Sequence, residues 1–278
     1  MKRYPIVLSI AGSDSSGGAG IQADLKAISA LGAYAATAIT AITVQNTMGV
    51  LAIHAIPPEY VKGQIEAVMD DLSPDAIKIG MINDINIVRV IAECICKYNP
   101  KHVVFDPVMV STSGSKLIED EAIKVLTEEL MPLTDLITPN LDEVNVLTGK
   151  KIQNLTEMKT AARKLLEFGS KAVLVKGGHL EGSEMYDVLQ LKSNEEPIIF
   201  TSKHIDSKNV HGTGCTLSSS IATFLALGYT MEQAVKLAKK YIDGAIEAGK
   251  DIFIGHGNGP LNHFYAPIAM KTNESFQL

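Results

Sequence analysis

Residues 6–20 read IVLSIAGSDSSGGAG. The apolar run from Ile6 to Ile10 leads directly into a glycine-rich loop, and a helical pattern follows from Gly20 to Leu31. A short apolar run before such a loop and a helix is typical of a buried strand in an open α/β sheet. Backbone N–H groups of a glycine-rich loop can approach a ligand closely. The stretch therefore predicts an α/β fold with a binding loop after its first strand.

The same alternation of short apolar runs and amphipathic segments continues along the chain. It predicts a mostly parallel sheet with helices on both faces, in one domain that covers residues 1–278. The polar tail from Asn273 is expected to be frayed. The further predicted strands are Ala35 to Val44, Ala76 to Ile79, Val103 to Phe105, Leu136 to Thr138 and Ala172 to Val175. The further predicted helices are Glu59 to Leu72, Ile85 to Tyr98, Glu119 to Leu130, Thr156 to Phe168, about Gly214 to Leu227 and Met231 to Ala248.

The pattern changes after Lys176, where two hairpin-like strands follow each other. Tyr186 to Leu191 and Ile198 to Thr201 are separated by a polar turn and predict a small antiparallel edge. A second unusual segment has no Asp, Glu, Lys or Arg over the 32 residues between Lys26 and Glu59. It is long enough to cross a bilayer, but its amide and hydroxyl side chains would lie unpaired in hydrocarbon. We expect two buried strands there.

Composition excludes several classes of function. The chain has 278 residues, with 25 Lys and Arg against 31 Asp and Glu, and a formal net charge of -6. Such a balance disfavours binding to nucleic acid or to an anionic membrane. Three cysteines cannot form a disulfide framework, so a reducing compartment, the cytoplasm, is expected. A small-molecule ligand held by local groups remains the favoured kind of partner.

A second glycine loop, residues 210–218, reads VHGTGCTLS and precedes a helix. Gly212, Thr213 and Gly214 would present N–H groups at the helix N-terminus, an anion site suited to a phosphoryl group. Cys215 lies in the first turn, where the helix dipole favours a thiolate, although an inert packing role is the common alternative. His211 is expected to orient the loop.

Charged and amide side chains follow three of the predicted strands. Asp106 and Lys176 each come directly after an apolar run, and Asn140 and Glu143 are three residues apart at the start of a helix. Asn140 and Glu143 could support a hydrated Mg²⁺, but a helix capping box explains the same residues equally well. Together with the anion site these residues supply the parts that phosphoryl transfer requires.

Three features near the first loop have competing interpretations. The segment from Gly18 matches a dinucleotide-binding pattern, but the acid expected about 20 residues later falls in the stretch without acids. Asp24 is either a surface acid of the first helix or a hydrogen-bond acceptor for a ligand. Gln45 is either a core amide with internal partners or a donor and acceptor pair for the edge of an aminopyrimidine.

At this point the sequence resembles the hydroxymethylpyrimidine and phosphomethylpyrimidine kinases of thiamine biosynthesis, in the ribokinase-like group. The matching stretches run in order along nearly the whole chain. They are residues 11–26 (AGSDSSGGAGIQADLK), 45–47 (QNT), 78–81 (KIGM), 106–109 (DPVM), 138–141 (TPNL) with Glu143, 176–179 (KGGH, ending at His179), 211–218 (HGTGCTLS) and 257–264 (GNGPLNHF).

The resemblance implies a three-layer α/β/α kinase that is a homodimer and uses ATP with Mg²⁺. It would phosphorylate 4-amino-5-hydroxymethyl-2-methylpyrimidine to the monophosphate and then to the diphosphate. Cys215 stands where related sugar kinases carry Asp, and it would be the base if its pKa is lowered enough. The implied site comprises Gly12, Asp24, Gln45, Met81 and Val108 for the pyrimidine, Asn140, Glu143 and Asp106 for magnesium and phosphates, Lys176 for the transferred group, Gly212, Thr213 and Gly214 for the anion hole, and Lys239 near the nucleotide.

Three alternatives remain open from the sequence. A pyridoxal kinase of the same branch would share both glycine loops, and Gln45 favours the pyrimidine. A nicotinamide-dependent oxidoreductase would use the first loop but leaves the second loop unexplained. A nucleotide-binding module without catalysis would bind ATP and not consume it.

Overall fold

The apolar runs of the sequence pair side by side in the computed structural model, which describes residues 2–109, 120–178 and 184–272. The sequence features at Glu119, at His179 and in the tail from Asn273 lie outside these residues. Within the described ranges, the strands are β1 (Ile6–Asp14), β2 (Tyr34–Asn46), β3 (Gly49–Ala55), β4 (Ala76–Ile79), β5 (Val103–Phe105), β6 (Leu136–Ile137), β7 (Ala172–Lys176), β8 (Glu184–Leu191) and β9 (Ile198–Lys203).

The described strands form one sheet in the order β3-β2-β1-β4-β5-β6-β7-β8-β9. Pairing is parallel from β2 through β7 and antiparallel between β2 and β3, β7 and β8, and β8 and β9. The parallel centre and the β8–β9 edge are as expected. The second antiparallel edge, formed by β3, was not predicted.

Helices cover both faces of this sheet and make three layers. One buried apolar cluster joins the sheet to α2 through α6, and another joins it to α1, α7 and α8. A short π-helical turn, Leu126–Leu130, extends α4. Within the described ranges the α-helices are α1 (Gly20–Ala30), α2 (Pro58–Leu72), α3 (Ile85–Tyr98), α4 (Asp120–Val125), α5 (Leu141–Thr148), α6 (Leu155–Leu165), α7 (Thr213–Ala226) and α8 (Met231–Gly249).

Strand β7 shows why the central strands have no polar alternation. Val173 and Val175 pack into the cluster beneath α2 through α6, whereas Ala172 and Leu174 pack into the cluster beneath α1, α7 and α8. Successive side chains of a strand point to opposite faces, and both faces of this sheet are covered. A continuous apolar run is the sequence pattern that such a strand requires.

The segment without Asp, Glu, Lys or Arg, residues 27–58, is less buried than predicted. It forms β2 and β3 as a hairpin, but every residue of β3 is exposed, so the expectation of two buried strands is wrong for β3. At the turn and in β3, Met48 is 71% exposed and Leu51 is 75% exposed. Among the described residues, no helix combines the length and apolar character needed to cross a membrane. The missing charges thus mark an exposed apolar sheet edge.

Strand β1 is longer than the apolar run that predicted it. It continues through Ala11 to Asp14 and pairs with β2 as far as Thr43, with an irregular register between Ala11 and Ser13. Much of the predicted glycine loop is therefore strand, and only residues 15–19 form the connection to α1. This extension carries Asp14 beyond the end of the neighbouring strand β4.

Candidate active site

The two glycine loops meet at the carboxyl edge of the sheet. Gly212 has a φ of +83°, and a Cβ added to it would lie 1.8 Å from the backbone oxygen of Gly18. That distance is far below van der Waals contact, so residue 212 can carry no side chain in this arrangement. The contact sets the loop after β1 directly against the N-terminus of α7.

The N-terminus of α7 has the properties predicted for an anion site. Gly212 caps the helix in a left-handed conformation and its oxygen accepts from the Thr216 N–H at 2.9 Å. The hydroxyl of Thr213 donates to the oxygen of Val210 at 2.7 Å and closes the turn. The Thr213 N–H donates to the oxygen of Val210 at 3.3 Å. The next N–H groups of the first turn, those of Gly214 and Cys215, have no acceptor within the helix. They are oriented to bind a negatively charged group.

A buried ion pair lies beside this helix terminus. The Nζ of Lys176 is 2.8 Å from Asp106 Oδ1, which also accepts from the Thr138 hydroxyl at 2.8 Å. Burial opposes the charge on Asp106, but the ammonium groups of Lys176 and Lys78 hold its pKa below the ordinary value. A Cβ on Gly214 would lie 3.3 Å from both Asp106 Oδ2 and Lys176 Nζ. The small residue thus brings the helix terminus and the ion pair together.

Asn140 and Glu143 form the capping box that the sequence left as an alternative. The Glu143 N–H donates to Asn140 Oδ1 at 2.9 Å, and the Asn140 N–H donates to Glu143 Oε2 at 2.7 Å. Burial raises the pKa of Glu143 to about 7, against the opposing effect of Lys176. The Lys176 N–H donates to the oxygen of Pro139 at 2.9 Å. The cap after β6 and the lysine at the end of β7 are therefore neighbours at the edge of the sheet.

The donor set fits a magnesium ion that arrives with phosphates. Among the described residues, no cluster of three or more His, Cys, Asp or Glu side chains could hold a metal ion. Asp106 and Glu143 are two buried carboxylates near Lys176. Mg²⁺ in nucleotide sites commonly takes only one or two carboxylates and completes its shell with water and phosphate oxygens.

Cys215 is the residue that the sequence offered as a base. It is half-buried in the first turn of α7, and burial raises the pKa of its thiol to about 11, although the Lys78 ammonium and the Gly20 N–H favour the thiolate. The sequence left open whether the pKa of this thiol is lowered enough for a base, and in the protein without ligands burial raises it instead. The cost of burying a charge exceeds the benefit of the helix terminus.

The expected pyrimidine residues separate into two groups. Gly12 and Met81 are in contact, since a Cβ on Gly12 would lie 2.9 Å from Met81 Cε. The backbone of Met81 is fixed by the Thr40 hydroxyl, which donates to its oxygen at 2.9 Å. Val108 and Gln45 are both half-buried at the same edge of the sheet, after β5 and near the end of β2. These four residues remain predicted pocket residues.

Asp24 does not lie on a helix surface. It is fully buried, and its Oδ2 accepts from Lys78 Nζ at 2.8 Å and from the Ser9 hydroxyl at 2.6 Å. Lys78 is itself fully buried. The surface alternative for Asp24 is wrong, and its carboxylate is held inside the protein by Lys78 and Ser9. Lys78 was not singled out from the sequence as the partner of Asp24, although a lysine inside a four-residue apolar strand was the available signal.

Gln45 belongs to a chain of polar contacts that links the two loops. Its Nε2 lies 3.2 Å from His211 Nε2, which lies 2.9 Å from Asp14 Oδ2. Asp14 also accepts from backbone N–H groups of Gly18 and Ala19. His211 thus orients the loops as expected. Asp14 was not singled out from the sequence, although an Asp followed by serines and glycines is typical of such a turn.

Lys239 lies in α8 and pairs with a different acid. Its ammonium contacts Asp187 Oδ2, and Asp187 Oδ1 accepts from the Gly177 N–H at 2.9 Å. Lys239 is therefore connected to the residue after Lys176. Its expected place near the nucleotide stays a prediction.

Comparison with known proteins identifies the family. The phosphomethylpyrimidine kinase family model matches residues 14–262, which include both loops and the strand ends between them. This chain belongs to that family. The family predicted from the sequence is confirmed, and so is the mostly parallel α/β/α fold of its ribokinase-like relatives.

Individual relatives extend over most of the chain. A hydroxymethylpyrimidine/phosphomethylpyrimidine kinase of Rhizobium meliloti (strain 1021) is 47% identical, over 94% of this chain and 97% of that protein. A crystal structure of phosphomethylpyrimidine kinase from Clostridium difficile 630 is 48% identical with a TM-score of 0.77, over 87% of this chain and 99% of that one. A pyridoxal kinase from Staphylococcus aureus, in complex with AMP-PCP and pyridoxal, is 32% identical with a TM-score of 0.85, over 96% of both chains. The chain spans about half the length of the bifunctional thiamine-biosynthesis relatives that it also matches.

The contact between the loops predicts an unequal response to two glycine substitutions. Gly228 has a φ of +90° and nothing within 4 Å of an added Cβ, so Gly228→Ala suffers only backbone strain, about 1 to 2 kcal/mol. Gly212→Ala must in addition displace the backbone of Gly18 and should lower the free energy of unfolding further. Urea unfolding of both variants measures the difference. Equal losses would show that the loops separate at little cost.

The raised pKa of Cys215 predicts slow alkylation near neutral pH. Cys96 is exposed on α3 and serves as the internal control. The reaction of Cys215 with iodoacetamide, followed by mass spectrometry, should be slower than that of Cys96 at neutral pH. Its rate should rise about tenfold for each pH unit up to about pH 10, since the thiolate fraction grows with pH below the pKa. A plateau of the rate near pH 8 would contradict this expectation.

Proposed function

We propose that this chain is an ATP-dependent kinase for 4-amino-5-hydroxymethyl-2-methylpyrimidine. It converts the alcohol to the monophosphate and then the monophosphate to the diphosphate, in thiamine biosynthesis. One observation carries the proposal: an anion-binding helix terminus lies against a buried Lys176–Asp106 pair, on the sheet edge where Gln45 also lies. The family and the 47% identical kinase relative support the same substrate.

The charged groups at the edge have separate tasks in this reaction. Lys176 neutralises the transferred phosphoryl group, and the first-turn N–H of Gly214, with the loop of Gly212 and Thr213, holds its oxygens. Asp106, Glu143 and Asn140 would hold Mg²⁺, partly through water. When bound, Mg²⁺ neutralises phosphate charge and orients the nucleotide. Positioning and charge neutralisation supply most of the rate, because the transition state of phosphoryl transfer needs little activation of the nucleophile.

We place the thiol of Cys215 beside the alcohol oxygen of the substrate. Its thiol is protonated in the free protein at neutral pH. A base role would require it to lose that proton when substrates bind, so we assign it mainly to positioning. The Cys215→Ala variant should then retain a higher kcat than a variant that lacks the Lys176 ammonium.

A pyridoxal kinase is the alternative of the same chemistry. The Staphylococcus aureus pyridoxal kinase shares this fold at 32% identity, and its structure contains bound pyridoxal. Gln45 favours the pyrimidine, because a primary amide can both donate to a ring nitrogen and accept from an amino group.

A coupled ADP-release assay decides between these functions. Hydroxymethylpyrimidine and its monophosphate should both be consumed with ATP, at higher kcat/KM than pyridoxal. A higher kcat/KM for pyridoxal would overturn the pyrimidine assignment. Absence of ADP release with all three would favour a nucleotide-binding module.

Substitution of Lys176 tests the site itself. Lys176→Met should lower kcat about a hundredfold or more, because a charge that stabilises the transition state is lost. Lys171→Met is the matched control, since Lys171 lies just before β7 and its side chain is 76% exposed. The control should retain near wild-type kcat. Equal kcat for the two variants would remove Lys176 from the mechanism.

We further propose that residues 1–278 act as one kinase domain in a cytoplasmic homodimer. The exposed apolar side chains of the β2–β3 hairpin support the dimer, because an unpaired apolar sheet edge readily pairs with another chain. These side chains are Ile42, Val44, Met48, Val50, Leu51 and Ile53. The three cysteines, all free, support a reducing compartment.

Substitution at this edge should separate the protomers. Leu51→Glu places a charge on β3 and should convert a dimer to a monomer in size-exclusion chromatography with light scattering. Ile199→Glu is the control, on the exposed face of β9 at the other edge of the sheet. It should leave the dimer intact. A monomeric wild-type protein, or dissociation by Ile199→Glu alone, would contradict this arrangement.

A further inference from the structure

The contacts of His211 place one ring nitrogen between two side chains. Its Nε2 is 2.9 Å from Asp14 Oδ2 and 3.2 Å from Gln45 Nε2. The side chain of Asp14 is 3% exposed and that of His211 is 14% exposed, so water competes little for these contacts. The hydrogen-bond partners must therefore be accounted for within the protein.

Asp14 determines where the proton of His211 lies. Burial opposes the charge of Asp14, but its hydrogen bonds to His211, Ser16 and Ala19 hold its pKa well below the ordinary value. The carboxylate is ionised at neutral pH and can only accept. His211 Nε2 must then carry a proton and donate it to Asp14. This nitrogen cannot accept a hydrogen bond from Gln45.

Thr43 is the hydrogen-bond partner on the other side of the Gln45 amide. Its hydroxyl lies 2.8 Å from the Ser13 oxygen and 3.1 Å from Gln45 Oε1. A hydroxyl has one proton, and the shorter contact is to the Ser13 oxygen. The Thr43 oxygen is then left to accept a hydrogen bond. An amide oxygen facing it, and an amide nitrogen facing the His211 N–H, would be mismatched on both sides.

We propose that His211, held by Asp14, is a specificity-determining positioning residue that sets the orientation of the Gln45 amide. The amide oxygen faces the His211 N–H, and the amide nitrogen faces the Thr43 oxygen. Exchange of the amide oxygen and nitrogen keeps the same side-chain shape. The single proton on His211 Nε2 is then shared, in a three-centre hydrogen bond, between Asp14 Oδ2 at 2.9 Å and the Gln45 oxygen at 3.2 Å. The second lone pair of the Gln45 oxygen and the second N–H of its nitrogen then face a ligand in one fixed arrangement, with the acceptor on the His211 side and the donor on the Thr43 side.

This arrangement selects the edge of the substrate. It suits a heteroaromatic alcohol with a ring nitrogen beside an amino group, which offers one acceptor and one donor. A ring that lacks the amino donor leaves the Gln45 oxygen without its second partner, which a buried polar site disfavours strongly. The ligand class rests on the proposed function, whereas the position of the proton on His211 does not.

Nitrogen-15 NMR of histidine-labelled protein without ligands tests the proton directly. The His211 signals are assigned by their loss in His211→Gln. We expect Nε2 of His211 to be protonated at neutral pH. An unprotonated Nε2 would overturn the proposal, whatever the substrate of the enzyme proves to be.

Kinetics of three variants test the consequence for specificity. His211→Leu removes the donor and should lower kcat/KM for hydroxymethylpyrimidine about tenfold, mainly through KM, with a smaller change for pyridoxal. His211→Gln restores an N–H at similar reach and should recover most of the preference. In a Gln45→Ala background, His211→Leu should change the preference by less than about twofold, because the two residues act through one amide. An equal change in both backgrounds would show a purely structural role for His211.

Discussion

A single backbone crossing holds the site together. The oxygen of Gly18 occupies the space in which residue 212 would carry a Cβ, 1.8 Å from it. The loop after β1 and the loop before α7 are some 190 residues apart in sequence, yet this contact makes them one surface. The ends of β5, β6 and β7 lie along the same sheet edge and add Asp106, Asn140 and Lys176 to it. The remaining contacts of the site depend on this close approach of the two loops.

Charge at this edge is arranged in compensating buried pairs. The chain carries a formal net charge of -6, so a general attraction for an anionic nucleotide is absent. Lys176 with Asp106, and Lys78 with Asp24, instead place cations below and beside the N-terminus of α7. Removal of one partner from such a pair leaves a bare buried charge, which is strongly destabilising. The local field thus depends on pairs and on a helix terminus.

Sequence patterns predicted the centre of the fold better than its edges. The bounds of β4 and β5 agree with their apolar runs, because strands covered on both faces need apolar residues at nearly every position. Lys78 of β4 is the exception, and its charge is paired with Asp24. Strand β3 is also mostly apolar but lies at an edge of the sheet. An apolar composition alone does not distinguish an edge strand from a buried central strand. Burial of Asp24 and the thiol of Cys215 depend on Lys78 and on packing between elements distant in sequence. Neither could be obtained from the local pattern.

The Lys78–Asp24 pair also limits how this sequence can change over time. Neither residue can be exchanged alone without stranding its partner's charge in the core, whereas a simultaneous exchange of both for apolar side chains need not be costly. Ser9, which donates to the same carboxylate oxygen, adds a third position to the constraint. Any stepwise replacement of the pair therefore passes through a destabilised single variant. A change at either position therefore calls for a matching change at the other, 54 residues away in the sequence.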